Sequence, residues 1–270
     1  MKKNKIKVSL IIGSYMRADL LTLSLWSIAR QTIDYPFEVI VLNDGIEDDT
    51  EKVCDEYKDK LNIKYIFTGQ RNKENKFYRN SGFAMNIGVK QSTGDIVILS
   101  GAEIFHLNKG INSIIYSLLE NDRYLSVPRK IYFDDNGNTS KYLLKQYSSK
   151  KLEIPLPLKY LREILKNREI IQATKMPFLM GMYKKRFVEI GGYDEDFIGY
   201  AGDDNDFVQR LIKNNCEYCR NNAKVVHLYH GKRCDSDFHW NNPAWVYNFF
   251  LFHTRKNKII RNKNREWGEI

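Results

Sequence analysis

The first hundred residues alternate short apolar runs with stretches of helical periodicity, and this alternation restricts the fold more than any other feature. Four apolar runs predict strands, at residues 7–13, 37–42, 63–67 and 95–100. Three stretches between them predict helices, at residues 19–31, 48–58 and 78–91. Strands joined through helices of this length run parallel, with right-handed crossovers. The sequence therefore predicts an α/β fold with a mostly parallel central sheet flanked by helices.

Composition narrows the class further. The 270 residues, 43% of them hydrophobic, are enough to bury a full core. No stretch approaches the roughly 20 apolar residues of a membrane span, and the run at 8–12 is too short for a signal peptide. Four cysteines are few for this length and favour a reducing, cytoplasmic location. The net charge of +10 indicates an anionic partner, but no segment shows the pattern of a nucleic-acid reader, so no nucleic acid is expected.

Polar residues follow three of the predicted strands, at 14–17, 43–45 and 100–103. In open α/β sheets, ligands bind beyond the carboxyl ends of the strands, so these residues predict a binding site at one edge. No GxGxxG or GxxxxGK[ST] pattern follows the first strand, which argues against dinucleotide-binding and P-loop sites.

Two neighbouring segments, 191–197 and 202–207, concentrate six acidic side chains in a chain that is otherwise basic. The apolar residues after Asp203 recur at helical spacing, so Asp203 and Asp204 lie at a helix N-terminus. Carboxylates are favoured there simply as helix caps. They are also the groups that a proton transfer or a bound hydroxyl requires. Position alone does not separate a cap from a catalytic group.

Four segments, taken in order, resemble the successive strands of a family 2 glycosyltransferase with the GT-A fold: 8–17, 39–45, 78–82 and 92–99. The two acidic segments resemble the acceptor-side motif of inverting members, including related galactosyltransferases and polypeptide N-acetylgalactosaminyltransferases. The match runs from about Lys7 to His230. The resemblance implies an inverting enzyme that moves a sugar from a UDP-sugar donor to a hydroxyl of a glycan or other acceptor, in synthesis of a cell-surface polysaccharide or glycoconjugate.

The resemblance also implies which residues bind the nucleotide. In similar enzymes the loop after the first strand and the aspartate that ends the second hold the uridine. Here these positions point to Ser14, Tyr15, Arg17 and Asp44. Arg79, from its place in the Arg-Asn-x-Gly segment, is expected to approach the base or the diphosphate.

The fourth strand departs from the family pattern. GT-A enzymes usually end it with Asp-x-Asp, whose carboxylates hold a divalent cation against the diphosphate, whereas residues 100–103 here read Ser-Gly-Ala-Glu. Glu103, in the place of the final Asp, remains able to bind Mn²⁺ or Mg²⁺. His227, or His230 as a second choice, matches the late metal ligand of related transferases, and His106 is a possible substitute. Without a metal, Arg or Lys would have to neutralise the diphosphate.

The resemblance assigns catalysis to the acidic motif. Asp204 is expected to act as the base that takes the acceptor proton, and Asp203 to orient the acceptor or the donor sugar. A different class stays open. The missing Asp-x-Asp, the basic patches and the aromatic tail also suit a catalytically degenerate module that binds glycan or an anionic polymer.

The domain boundaries follow from the same motifs. Residues 1–234 are expected to form the GT-A domain, with a nucleotide-binding half at about 1–105 and an acceptor-binding half at about 106–234. Residues 235–270 are expected to form a helical, aromatic and basic appendage, whose charge lies apart from the acidic segments. This appendage is expected either to contact anionic lipid at the inner face of the membrane or to be a core helix with a solvated end.

Overall fold

The computed structural model describes residues 6–70, 80–134, 136–160, 169–170, 177–199, 201–231 and 242–270. The strands are β1 (Val8–Ser14), β2 (Phe37–Gly45), β3 (Ile63–Gln70), β4 (Ile96–Gly101), β5 (Ile104–His106), β6 (Tyr124–Phe133), β7 (Glu169–Ile170), β8 (Leu179–Tyr183) and β9 (Glu217–His227). The helices are α1 (Ala18–Ala29), α2 (Thr50–Asp55), α3 (Ser81–Gln91), α4 (Gly110–Glu120), α5 (Asn138–Ser148), α6 (Lys184–Glu189), α7 (Asp203–Lys213) and α8 (Pro243–Arg255). None of the helices in these ranges has the length and apolar character that crossing a membrane requires.

The strands of these described ranges form one sheet in the order β3-β2-β1-β4-β8-β6-β9-β5, with β7 paired to β6. The first four strands in that order are parallel, which confirms the α/β fold expected from the helical spacing. The other half is mixed. β8 runs antiparallel to β4 and β6, and β5 runs antiparallel to β9, whereas β6 and β9 are parallel. The sequence predicted helices only between the first four strands. The prediction of parallel strands therefore holds for those four and not for the other half of the sheet.

The strand β1 is apolar on both faces because helices cover both sides of the sheet. Leu10 and Ile12 point to one core, which they share with Leu21 of α1. Ile11 points to the opposite face and packs in a second core with Ile87 of α3. All five side chains are fully buried. The alternation of side chains along one strand thus joins two helical layers to the sheet.

The start of α3 differs from the sequence-based prediction. The helix begins at Ser81 because Asn80 caps it, accepting the backbone N–H of Gly82 at 3.1 Å. The predicted start at Tyr78 lies outside the described residues. α3 therefore presents its N-terminus at the carboxyl edge of the sheet, where the predicted site lies.

The C-terminal segment packs on the acidic segments instead of lying apart from them. α8 begins at Pro243, with the side chain of Asn242 accepting the N–H groups of the first turn. Beyond α8, the buried Arg261 places Nε 2.7 Å from Asp194 Oδ2 and Nη2 2.6 Å from Asp206 Oδ1. The expectation that the basic tail lies away from the acidic segments is therefore wrong. The physical reason is that buried carboxylates require partners, and the tail supplies them.

Other groups complete this contact. Arg210, one turn along α7, places Nε 2.6 Å from Asp206 Oδ2. Asn262 donates its side-chain N–H groups to the backbone carbonyls of Gly191 and Tyr193, at 2.8 and 2.7 Å. Gly191 has φ +75°, and a Cβ there would lie 2.1 Å from the Arg261 carbonyl oxygen, so the approach requires glycine. The tail thus fixes the backbone of the first acidic segment. The division of the chain at residue 234 stays a prediction.

We predict that Arg261→Met lowers the free energy of unfolding by about 3–5 kcal/mol, because it leaves buried carboxylates short of a partner. Arg265→Met is the matched control in the same tail. The Arg265 side chain, which pairs with Asp196, is 39% exposed. The loss in unfolding free energy should therefore stay below about 1 kcal/mol. Urea unfolding of the two variants measures the difference. Equal losses would contradict the role given to Arg261.

Candidate active site

The carboxyl ends of β1 and β4 lie side by side at the predicted edge. Gly13 is in register with Gly101, and Ala102 donates its N–H to the Gly13 carbonyl at 3.0 Å. A Cβ on Gly101 would lie 2.6 Å from Oε1 of Glu103. Gly101 therefore leaves the space in which the buried Glu103 carboxylate turns back over the strand ends.

Two histidine side chains lie near this carboxylate. β5 follows Glu103 directly and pairs with the end of β9, so Ile104 lies opposite His227 and the N–H of Leu228 bonds the Glu103 carbonyl at 2.8 Å. One ligand atom from each of Glu103, His227 and His230 lies within 4.8 Å of the other two. Two imidazoles and a carboxylate suit a divalent cation such as Mn²⁺, so these residues fit the cation that the sequence suggests.

The imidazole of His227 is held by aromatic rings. It stacks on Phe133 with ring centroids 4.9 Å apart and meets the edge of Phe178 at 5.1 Å. His106, the third histidine considered from the sequence, lies at the other end of β5 and is not part of the cluster. Burial lowers the pKa of His106 to about 4. The alternative ligand His106 is therefore not brought to Glu103.

Arg17 completes the cluster. Its Nη1 lies 2.7 Å from Oε2 of Glu103, and its Nη2 lies 3.3 Å from Nδ1 of His230. The resemblance assigned Arg17 to the uridine, but its guanidinium points to the cation cluster. The sequence separation of 86 residues between Arg17 and Glu103 gave no signal of this pair.

The electrostatics of the cluster follow from burial and from Arg17. Burial alone would raise the pKa of Glu103, but Arg17 and His227 bring it below its ordinary value. Burial, reinforced by Arg17, lowers the pKa of His227, and the same causes lower that of His230 to about 4. At neutral pH the cluster thus consists of one carboxylate, one guanidinium and two neutral imidazoles. Neutral imidazoles retain the lone pair that binds a metal.

The predicted uridine residues lie at the ends of β1 and β2. Asp44 is buried and accepts a hydrogen bond from the Thr68 hydroxyl at 3.1 Å. Ser14 is also buried, with its hydroxyl 3.4 Å from that of Thr50 in α2. Tyr15, the next residue, is half-buried. Arg79 lies outside the described residues.

The acidic pair opens α7, as the sequence indicates. Burial raises the pKa of Asp203, and Asn80 and Gly82 at the N-terminus of α3 oppose this shift. Asp203 Oδ2 has no hydrogen-bond partner among the residues that the structure describes. This oxygen is therefore available to a bound hydroxyl.

Asp204 is half-buried and accepts the hydroxyl proton of Tyr193 at 3.1 Å. Burial and the adjacent Asp203 carboxylate raise the pKa of Asp204 well above its ordinary value, while the Tyr193 hydrogen bond opposes the shift. A carboxyl group with a raised pKa is a better proton acceptor at neutral pH than an ordinary aspartate. The sequence did not single out Tyr193, although the two glycines before it mark a backbone of unusual shape.

Tyr193 reaches this position through close packing. Its ring stacks on Phe207 of α7 with centroids 4.1 Å apart, and its backbone N–H donates to Asn86 Oδ1 at 2.8 Å. A Cβ on Gly82 would lie 2.5 Å from the Tyr193 ring, so the first turn of α3 passes directly against it.

α3 also connects the acidic pair to the cation cluster. Met85, one turn beyond Gly82, contacts Gly13, where a Cβ would lie 2.9 Å from the Met85 methyl. Gly13 is in register with Gly101, next to Glu103. A continuous path of packed residues therefore joins Asp203 to the strand ends that carry Glu103.

These features define a class. A parallel α/β half joined to a mixed half is the fold of the GT-A transferases, and solved structures of similar fold agree. The structure of GalNAc-T7 with UDP, GalNAc and Mn²⁺ has a TM-score of 0.64 at 14% identity, over 94% of this chain and 49% of that one. Mannosyltransferase PcManGT from Pyrobaculum calidifontis, with GDP-Man and Mn²⁺, has a TM-score of 0.54 at 16% identity, over 86% of this chain and 59% of that one.

The sequence pattern of glycosyl transferase family 2 matches residues 9–188, more than half of the chain, so the chain belongs to that family. The pattern of the N-terminal domain of galactosyltransferase matches residues 177–232. The family resemblance stated from the sequence is thereby confirmed.

Curated relatives include two polysaccharide synthases. Hyaluronan synthase of Pasteurella multocida is 28% identical over 53% of this chain and 14% of its own length. Chondroitin synthase of Escherichia coli is 24% identical over 85% of this chain and 36% of its own length. The matched segments are thus a minor part of both relatives.

We predict that Asp204→Asn stabilises the folded chain at neutral pH. Because the pKa of Asp204 is higher in the folded chain than the ordinary value of 3.8, ionisation costs folding free energy as the pH rises above that value. The amide removes this cost, so the gain in unfolding free energy should be absent near pH 3.5 and present at pH 8. Urea unfolding at both pH values measures it.

Asp206→Asn, one residue beyond Asn205 on α7, is the matched control with the opposite sign. It removes a buried carboxylate from Arg210 and Arg261 and should cost about 3–5 kcal/mol. If Asp204→Asn were destabilising at pH 8 to a similar extent, the Asp204 carboxylate would stabilise the fold. It would then not be a base whose ionisation costs folding free energy.

Proposed function

We propose that this chain is an inverting glycosyltransferase that moves a sugar from a UDP-sugar donor to a hydroxyl group of a glycan or glycoconjugate. One observation carries the proposal: Asp204, with a raised pKa, lies in the same edge region as a separate cluster of Glu103, Arg17 and two histidines. Glycosyl transfer needs a base on the acceptor side and a positive charge on the leaving-group side. The two groups match these two needs.

On the leaving-group side, Glu103, His227 and His230 would hold Mn²⁺ or Mg²⁺. A bound cation of this kind neutralises charge on the departing diphosphate. Asp44, Ser14 and Tyr15 would bind the uridine at the ends of β1 and β2, with Arg79 near the base or the diphosphate.

On the acceptor side, the free oxygen of Asp203 would orient the acceptor hydroxyl or the donor sugar. Asp204 would take the hydroxyl proton as the oxygen attacks the anomeric carbon. The new carbon–oxygen bond forms while the bond to the diphosphate breaks, and UDP leaves with the bonding electrons. Because one displacement occurs on the face opposite the nucleotide, the anomeric configuration inverts.

The names of the relatives support a polymer as the acceptor, and UDP is the nucleotide in one structural neighbour. Two of them are named as hyaluronan and chondroitin synthases, and the structure of GalNAc-T7 contains UDP. We accordingly propose a role in polysaccharide or glycoconjugate synthesis on the cytoplasmic side. The exposed Tyr247 and Phe250 of α8 would provide the peripheral membrane contact, since Arg255 and Arg261 are paired with aspartates.

The donor is found by a screen for UDP release with UDP-glucose, UDP-galactose, UDP-N-acetylglucosamine and UDP-N-acetylgalactosamine, each with Mn²⁺ and an oligosaccharide acceptor. GDP-mannose is the control donor with a different base. We expect release from at least one UDP-sugar that depends on the acceptor. Binding of the glycan without turnover of any donor would instead favour the degenerate binding module.

We predict that Asp204→Asn lowers the rate of transfer about 10²–10⁴-fold, the usual range for loss of a general base. UDP affinity, measured by calorimetry, should change less than about threefold because Asp204 lies on the acceptor side. Asp49→Asn, at the exposed start of α2, is the control aspartate and should retain activity. Loss of UDP binding in Asp204→Asn would overturn the assignment.

A further inference from the structure

We propose that the Arg17 guanidinium blocks the divalent-metal site of the free chain. A nucleotide diphosphate would bind Arg17 and move it off Glu103, which opens the site to the metal. The chain would then bind Mn²⁺ weakly alone and tightly together with the nucleotide. This inference deepens the proposed function and rests on it for the identity of the diphosphate. The competition between Arg17 and the metal is a property of the chain itself and is measurable without transfer.

The first argument is geometric. Arg17 bonds Oε2 of Glu103 at 2.7 Å and lies 3.3 Å from Nδ1 of His230, two residues of the candidate metal cluster. A Mn²⁺ or Mg²⁺ ion bound to these residues needs contacts of about 2.0–2.2 Å. Arg17 holds one oxygen of Glu103 and faces one ring nitrogen of His230, so an ion that uses these two atoms must displace the guanidinium.

The second argument is electrostatic. Arg17 and Glu103 together carry no net charge, and both are largely buried, with side chains 20% and 10% exposed. Adding a divalent cation while Arg17 stays would place a net charge of about +2 in a poorly solvated site, which is costly. Glu103 is the single carboxylate of the described cluster, and one carboxylate balances a monovalent guanidinium better than a divalent ion.

The third argument concerns the unused donor of Arg17. Its Nε is buried and has no hydrogen-bond partner among the residues that the structure describes. Guanidinium groups bind phosphate oxygens in a bidentate manner, through two parallel N–H donors. A diphosphate beside the β1 end would satisfy Nε and supply the negative charge that the metal also needs. Arg17 precedes α1 and follows Met16, whose φ is +54°, so it stands in a loop and not within a helix.

The consequence is coupled binding. If the diphosphate moves Arg17 off Glu103, the nucleotide increases the affinity for Mn²⁺, and Mn²⁺ increases the affinity for the nucleotide by the same factor. The cost of removing the guanidinium from Glu103 sets the size of this coupling. Replacing Arg17 should therefore raise the metal affinity of the free chain and weaken the coupling.

The test is a titration with Mn²⁺, in which electron paramagnetic resonance counts the unbound ion, with and without UDP. For the unaltered chain we expect at least tenfold tighter binding of Mn²⁺ when UDP is present. Without UDP, Arg17→Gln should bind Mn²⁺ at least tenfold more tightly than the unaltered chain. Adding His230→Ala to Arg17→Gln should remove this gain.

Arg30→Gln is the matched control, because Arg30 ends the same helix and lies over the Trp26 ring instead of the cluster. It should bind Mn²⁺ as the unaltered chain does. Thermal unfolding checks that each variant folds, and Arg17→Lys serves as a second variant with a gain of intermediate size. Equal Mn²⁺ affinity of Arg17→Gln and the unaltered chain, or no binding by either, would overturn the proposal. Failure to bind UDP would count against the proposed function, while the nucleotide-free comparison still decides the role of Arg17.

Discussion

The rest of the site depends on the contacts that Glu103 makes through its backbone carbonyl and its side chain. Its backbone carbonyl accepts Leu228, which ties the end of β4 to the end of β9, and its side chain pairs with Arg17 at the start of α1. Glu103 thereby joins the parallel half of the sheet to the mixed half. Gly101 is required beside it because a side chain there would displace the carboxylate. The strand end that carries Asp-x-Asp in the family pattern reads Gly-Ala-Glu here, and its one carboxylate pairs with Arg17.

The second constraint is the contact between the C-terminal tail and the acidic segments. Arg261 and Arg255 bind Asp194, and Arg261 also binds Asp206, so the carboxylates of 191–206 are divided into two groups. The carboxylates of Asp194 and Asp206 pair with arginines of the tail and stabilise the fold. Asp203 and Asp204 pair with no arginine within the described residues; burial raises the pKa of both carboxyls, and the Asp203 carboxylate raises that of Asp204 further. Opposite roles for neighbouring aspartates thus follow from which side of α7 they occupy.

Local sequence patterns predicted the strands and the helix start that depend on neighbouring residues. β1, β2 and β4 were correct because continuous apolar runs identify strands covered on both faces, and the start of α7 was correct because its apolar spacing begins at Asp203. The tail contact and the Arg17 pair were not predictable, because they join residues 55 to 213 positions apart through individual ion pairs and hydrogen bonds. Tyr193 was missed because its role depends on stacking against Phe207 and on the glycine at 82. Family resemblance assigned Glu103 and His227 to a metal, and geometry brings them together with His230.

We propose that Asp204 and the Glu103 cluster serve a single displacement from opposite sides of the anomeric carbon. The configuration of the product distinguishes a single displacement from a double one. With the UDP-sugar that supports transfer, the proton coupling constant of the newly linked anomeric centre, read by nuclear magnetic resonance early in the reaction, reports the configuration. We expect a linkage whose configuration is opposite to that of the donor sugar. A product that retains the donor configuration would contradict it, because retention requires a second displacement or attack from the nucleotide side.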